Sequence, residues 1–99
     1  MAIVSFLSRM TIHAAKEQQF IEACEALTEK VLAHEPECLY FRFYKLREEP
    51  LGYAVFESFL TDEAEEAHQK TDYFLKIVPG LVECLDGPYV REYLDPLRS

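Results

Sequence analysis

The chain has 99 residues, 49% of them hydrophobic and 13% aromatic, with a formal net charge of -8. That length suits one domain, residues 1–99, whose thin core removes only about two-thirds of the unfolded chain's surface from water. The acidic balance and scattered Lys and Arg residues argue against nucleic acid as a partner, and no apolar run approaches the roughly eighteen residues of a membrane span.

Residues 3–12 alternate. Val4, Phe6, Ser8, Met10 and Ile12 share one face, and Ile3, Ser5, Leu7, Arg9 and Thr11 the other, as in a strand with apolar groups on both sides. From Ala14 to about His34 the period lengthens, and Phe20, Cys24, Leu27 and Val31 fall on one stripe. This spacing predicts an amphipathic helix, ended where Pro36 forces its predecessor out of helical geometry. "CLYFRFYKL" (38–46) and "GYAVFESFL" (52–60) are aromatic-rich strands, and the short "REEP" turn between them predicts an antiparallel hairpin. Thr61 or Asp62 can cap the next helix, with Asp62, Glu63, Glu65 and Glu66 near its positive end. Pro79-Gly80 is expected to break or kink that helix, and "YVREYL" (89–94) to form a last strand after the "DGP" turn.

The order strand, helix, strand, strand, helix, strand defines an α+β fold. It is a ferredoxin-like βαββαβ unit, with a four-stranded antiparallel sheet and its helices on one face. Leu39, Phe41 and Phe43 alternate with Tyr40, Arg42 and Tyr44, so both faces of the second strand carry large groups and helices can cover only one. A second copy is the expected cover for the other, giving a homodimer with facing sheets.

Three widely spaced cysteines lack both a CxxC pair and the even count of a disulfide framework, which suits reduced, mostly buried thiols. "MAIVSFLSRMTIH" has neither a basic leader region nor a small-residue cleavage site, so a cytoplasmic location is expected. No GxSxG elbow, phosphate loop or dinucleotide fingerprint is present, which leaves serine hydrolase, nucleotide and Rossmann chemistry without a motif.

His68 stands alone among carboxylates. It reads either as a hydrogen-bonded helix residue or as a group titrating near neutrality and suited to proton transfer. Glu65 and His68 share a one-turn spacing, but one such pair beside four strands falls short of the paired motifs of di-iron bundles, so no metal site is expected. Glu57 interrupts an apolar strand and needs solvent or a partner. Arg42 on the paired strand is a candidate, a catalytic carboxylate being the other reading. Tyr40, Tyr44, Tyr53, Phe59, Tyr73 and Phe74 suit either packing or the walls of a pocket for a flat ligand, with Tyr73 and Ser8 as its polar tips.

The tract "VLAHEPECLYFRFY", followed by "FESFLTDEAEEAHQKTDYF" and closed by "GPYVREYL", resembles the antibiotic biosynthesis monooxygenase domain of the dimeric α+β barrel superfamily. Its most specific part is Glu57, Phe59, the acidic helix start, and His68 followed by Thr71. Many relatives carry Trp where this chain has Phe59, and a second His where it has Tyr73. Haem-degrading members have Asn and Trp in the places of Ser8 and His68, which disfavours haem as a ligand here. The resemblance implies a dimer with an apolar pocket between helices and sheet in each subunit. It further implies a monooxygenase without a cofactor, acting with dioxygen on an aromatic or quinol-type compound. On that reading His68, Tyr73 and Glu57 are catalytic, and Ser8, Phe59, Phe74, Tyr40 and Tyr44 bind substrate. The alternatives are isomerisation of a small hydroxy-ketone, free or phosphorylated, as in the autoinducer-2 branch, and a binding module without catalysis.

Overall fold

Apolar alternation along Val4–Thr11 makes β1, the axis of the sheet, because both of its edges are paired. In the computed structural model, which describes residues 2–98, a 3-10 turn at Ala14–Lys16 leads into α1 (Glu17–His34). The hairpin strands β2 (Cys38–Lys45) and β3 (Gly52–Phe59) follow, then α2 (Asp62–His68), α3 (Asp72–Val82) and β4 (Val90–Leu94). The four strands lie in the order β2-β3-β1-β4, all antiparallel, so the expected ferredoxin-like α+β topology is the observed one.

The α1 stripe of Phe20, Cys24, Leu27 and Val31 is buried against Phe41, Tyr53 and Val55 of the sheet, and Leu81 and Cys84 complete this core. All three cysteines are free thiols. Burial pushes the Cys24 thiol far above its ordinary range and the Cys38 thiol to about 11, which suits packing groups and not nucleophiles. Gly87, at φ 100°, takes the left-handed turn into β4 that a side chain would strain.

The second helical region differs from the sequence expectation. Its break lies at residues 69–71, and α3 runs through Pro79 and Gly80 to Val82. Thr61 caps α2 by accepting from Ala64 N at 3.0 Å. Thr71 is extended and caps α3 by accepting from Phe74 N at 3.3 Å, while its own hydroxyl donates to the His68 carbonyl at 2.9 Å. A capping threonine thus starts a new helix, while the proline sits near the end of α3. There the carbonyl it leaves unbonded belongs to Leu75, whose side chain is 62% exposed, on the wet side of the helix. Among the described residues no helix is long and apolar enough to cross a membrane.

Candidate active site

Two neighbouring rows across the helix-covered face of the sheet supply the strand residues of the site. Antiparallel register sets Phe41, Glu57, Phe6 and Tyr93 side by side, and beside them Phe43, Val55, Ser8 and Arg91. A carboxylate, a hydroxyl and a guanidinium therefore share an otherwise apolar surface. Above them His68, the last residue of α2, is only 3% exposed. The rings of Phe41, Phe59 and Phe74 surround its imidazole at centroid distances of 5.5, 5.1 and 5.1 Å.

The two imidazole nitrogens face different carboxylates. Nδ1 lies 3.0 and 3.1 Å from the two oxygens of Glu35, and Nε2 lies 3.7 Å from Glu57 Oε1. Pro36 explains Glu35: it ends α1, and the residue before it takes φ -121°, ψ 81°, outside helical geometry. The Tyr73 hydroxyl donates to Glu35 Oε2, and His34 stacks on the Tyr73 ring at 5.9 Å. Burial, then the Glu35 hydrogen bond and charge, push the Tyr73 phenol up to about 12, so it remains a donor at neutral pH.

Loss of solvent pushes the buried Glu57 carboxyl up to about 7, against the pull of Arg91 and with Glu65 and Glu35 adding to the rise. At neutral pH it is therefore poised between its two protonation states. The Arg91 guanidinium lies 4.0 Å over the Phe6 ring, and its Nη1 donates to the Tyr93 hydroxyl at 3.3 Å. Among the described residues, Arg91 Nε and Ser8 Oγ are buried with no hydrogen-bond partner. Orphaned buried polar atoms are uncommon in folded chains, and two adjoining ones with donor capacity suit an oxygen-bearing ligand.

A pocket of about 120 Å³ lies over this polar end, with walls that include Phe74, Val78 and Leu81. An adjoining cavity of about 250 Å³ shares Glu57, His68, Phe74, Tyr89 and Arg91 with it and is also lined by Glu65 and Gln69. On the far side of His68 lies a separate cleft of about 650 Å³, lined by Glu35, Cys38, Ala64, Thr71 and Tyr73 among others. No three His, Cys, Asp or Glu side chains converge as a metal-ligand set among the described residues.

His68, Glu57, Ser8 and Phe74 thus meet at one pocket. Phe59 is fully buried and supports the imidazole without lining the pocket, and Tyr73 lies beyond Glu35 in the outer cleft. Tyr40 and Tyr44 do not reach the pocket. Strand alternation turns Phe41 and Phe43 towards the helices and sends both tyrosines to the opposite face, where their hydroxyls bond each other. Arg42 goes with them, opposite Phe56, so the cation near Glu57 is Arg91. Glu35 and Arg91 were not singled out from sequence. The signals for them were the Glu-Pro junction at a helix end and the alternation of Arg91 with Tyr89 and Tyr93.

The fold and site define a ferredoxin-like α+β domain with a buried histidine–carboxylate site under its helices. The chain belongs to the antibiotic biosynthesis monooxygenase family, whose sequence profile matches residues 3–80. It is similar to a Caulobacter crescentus CB15 protein named a "putative antibiotic biosynthesis monooxygenase", with 28% identity over 97% of this chain and 91% of that one and a TM-score of 0.90. It is also similar to a conserved protein of Methanosarcina mazei Go1, with 26% identity, coverage of 95% and 92%, and a TM-score of 0.87. Rv0793 of Mycobacterium tuberculosis shares the fold at 17% identity, coverage of 99% and 98%, and a TM-score of 0.87. No curated protein matches the chain.

Proposed function

We propose that this protein is a cytoplasmic, homodimeric monooxygenase that needs no cofactor and oxygenates a small quinol-type aromatic with dioxygen. One observation carries the reading. The polar end of the pocket sets a proton-accepting pair, His68 and Glu57, beside the buried, unpartnered Arg91 Nε and Ser8 Oγ. The inner pocket is close in size to the ~150 Å³ cavity that admits benzene, so one ring of a two-ring substrate suits it and the other suits the adjoining cavity.

In this mechanism His68 Nε2 takes a hydroxyl proton from the quinol, with the Glu57 carboxyl 3.7 Å away to offset the charge that forms, while Arg91 and Ser8 hold the oxyanion. The electron-rich anion reduces dioxygen and joins it at a ring carbon as a hydroperoxide. That carbon then loses its hydrogen as a proton while the O–O bond breaks, so one oxygen stays on the ring and the other leaves as water. The substrate supplies all four electrons that dioxygen takes up. Exclusion of water by the apolar walls protects the intermediate.

The test uses 1,4-dihydroxynaphthalene under labelled dioxygen. We expect oxygen uptake above the protein-free rate, one labelled oxygen in a hydroxynaphthoquinone product, and a loss of about a hundredfold in His68→Gln. Conversion at the protein-free rate overturns the reading. The same proton-accepting pair would serve a keto–enol isomerase, and turnover of a hydroxy-ketone without dioxygen would select that alternative.

A further inference from the structure

We infer that Glu35, braced by the Tyr73 hydroxyl, is a positioning residue that fixes His68 in one tautomer and so makes Nε2 the base that faces the pocket. The inference rests on the proposed proton-transfer role of His68 and adds two residues outside the pocket to it.

Both Glu35 oxygens lie within hydrogen-bond reach of Nδ1, and the Tyr73 hydroxyl already donates to one of them. An ionised carboxylate can only accept, so the shared hydrogen belongs to Nδ1 and the lone pair to Nε2. Glu57 lies beyond hydrogen-bond distance of Nε2, which keeps that lone pair uncommitted to a protein donor. The groups facing the imidazole are Glu35 at the end of α1, Phe41 of β2, Glu57 and Phe59 of β3, and Phe74 of α3. Arg91 of β4 lies near Glu57 and holds its carboxyl down against the effect of burial. Glu35 is therefore the carboxylate in hydrogen-bond contact with the ring. When Nε2 accepts a proton, the cation is paired at once on its other side, as in hydrolase triads where a buried acid orients a histidine.

The placement of Glu35 also separates its chemistry from the substrate's. It lines the outer cleft of about 650 Å³ and neither the inner pocket nor the cavity adjoining it. A small carboxylate can reach the Glu35 position through that cleft while a substrate occupies the pocket.

The test begins on the unmodified protein with 15N-labelled histidine. His68 signals, assigned by their loss in His68→Gln, should show a protonated Nδ1 and an unprotonated Nε2 in the neutral ring. A protonated Nε2 overturns the inference whatever the variants do. In Glu35→Ala the single-tautomer signature should give way to a mixture, and turnover of 1,4-dihydroxynaphthalene should fall at least about tenfold. Added formate should restore both in Glu35→Ala and change neither in the unmodified protein. An unchanged tautomer in a folded Glu35→Ala protein also overturns it. Where Glu35→Ala fails to fold, Glu35→Asp and Tyr73→Phe provide the same readouts, and unchanged tautomer signals in both overturn the inference. The two readings fail separately: a protonated Nδ1 without quinol turnover removes the oxygenase chemistry and keeps the positioning role, whereas turnover with a protonated Nε2 does the reverse.

Discussion

At the scale of single residues, Glu57 links the site to stability. Its carboxyl is raised from an ordinary 4.5 to about 7, so the folded state binds the proton more tightly than the unfolded one. The stabilisation from that proton is fully present below pH 4.5 and is lost as the pH rises through about 7, a change of up to about 3 kcal/mol. Glu57→Gln removes the titration. Its stability relative to the unmodified protein should therefore rise between pH 5 and pH 8, as read by urea unfolding at each pH, and a constant difference would show that Glu57 is ionised throughout. His68 and Glu57 were legible in the sequence because each is a polar residue out of place, one alone in an acidic run and the other in an apolar strand. Glu35 was hidden by its surroundings, since a glutamate at a helix end resembles any solvated acid until the chain after Pro36 carries it back over the core. Arg91 was hidden by distance, because its neighbour Ser8 lies on a strand at the other end of the chain.

At the scale of elements, the break between α2 and α3 is made by Thr71, which caps α3 and also donates to the His68 carbonyl. Thr71→Ala should cost about 1 kcal/mol for the lost cap, seen as a melting temperature lower by several degrees. Pro79 gives the opposite test. Pro79→Ala restores a donor to the Leu75 carbonyl inside α3, and because that carbonyl lies on the wet side of the helix the melting temperature should rise by only about a degree or two. A fall would mean that the rigid ring at Pro79 contributes more than the missing bond costs. Strand alternation and the α1 stripe were readable because each is a repeated pattern, summed over many residues. The site of the helix break was not, because a proline near a helix end costs little while a threonine cap depends on a single local geometry.

At the scale of the whole molecule, the principal extents are 42 × 31 × 19 Å, and the shortest corresponds to one helix layer on one sheet. Among the described residues no second layer covers the sheet's other face. It presents Tyr40 (38% exposed), Tyr44 (40%) and Val90 (59%), with Leu7, Phe56 and Leu94 alongside. The proposed homodimer would cover this surface, and sedimentation at micromolar concentration should give twice the chain mass of 11.5 kDa. Tyr44→Glu combined with Val90→Glu should give folded single chains, whereas Phe41→Asp should prevent folding, because Phe41 lies in the core under α1. A single-chain mass for the unmodified protein would refute the pairing. The two-faced pattern of β2 was plain in the sequence, but which face the helices cover was not, since Tyr40 and Tyr44 were expected at the pocket and lie on the opposite face.

The pocket and the outer cleft share His68 as a lining residue. The partition between them at that point is one imidazole thick. Truncating it to alanine would do more than delete a base. It would open a bore through the domain from one side of α2 to the other, letting bulk water run past Glu57 and letting small solutes cross. His68→Ala should therefore leak, with faster hydrogen exchange at the backbone amides of Glu57 and Phe74 than in His68→Gln, whose longer side chain keeps the partition closed.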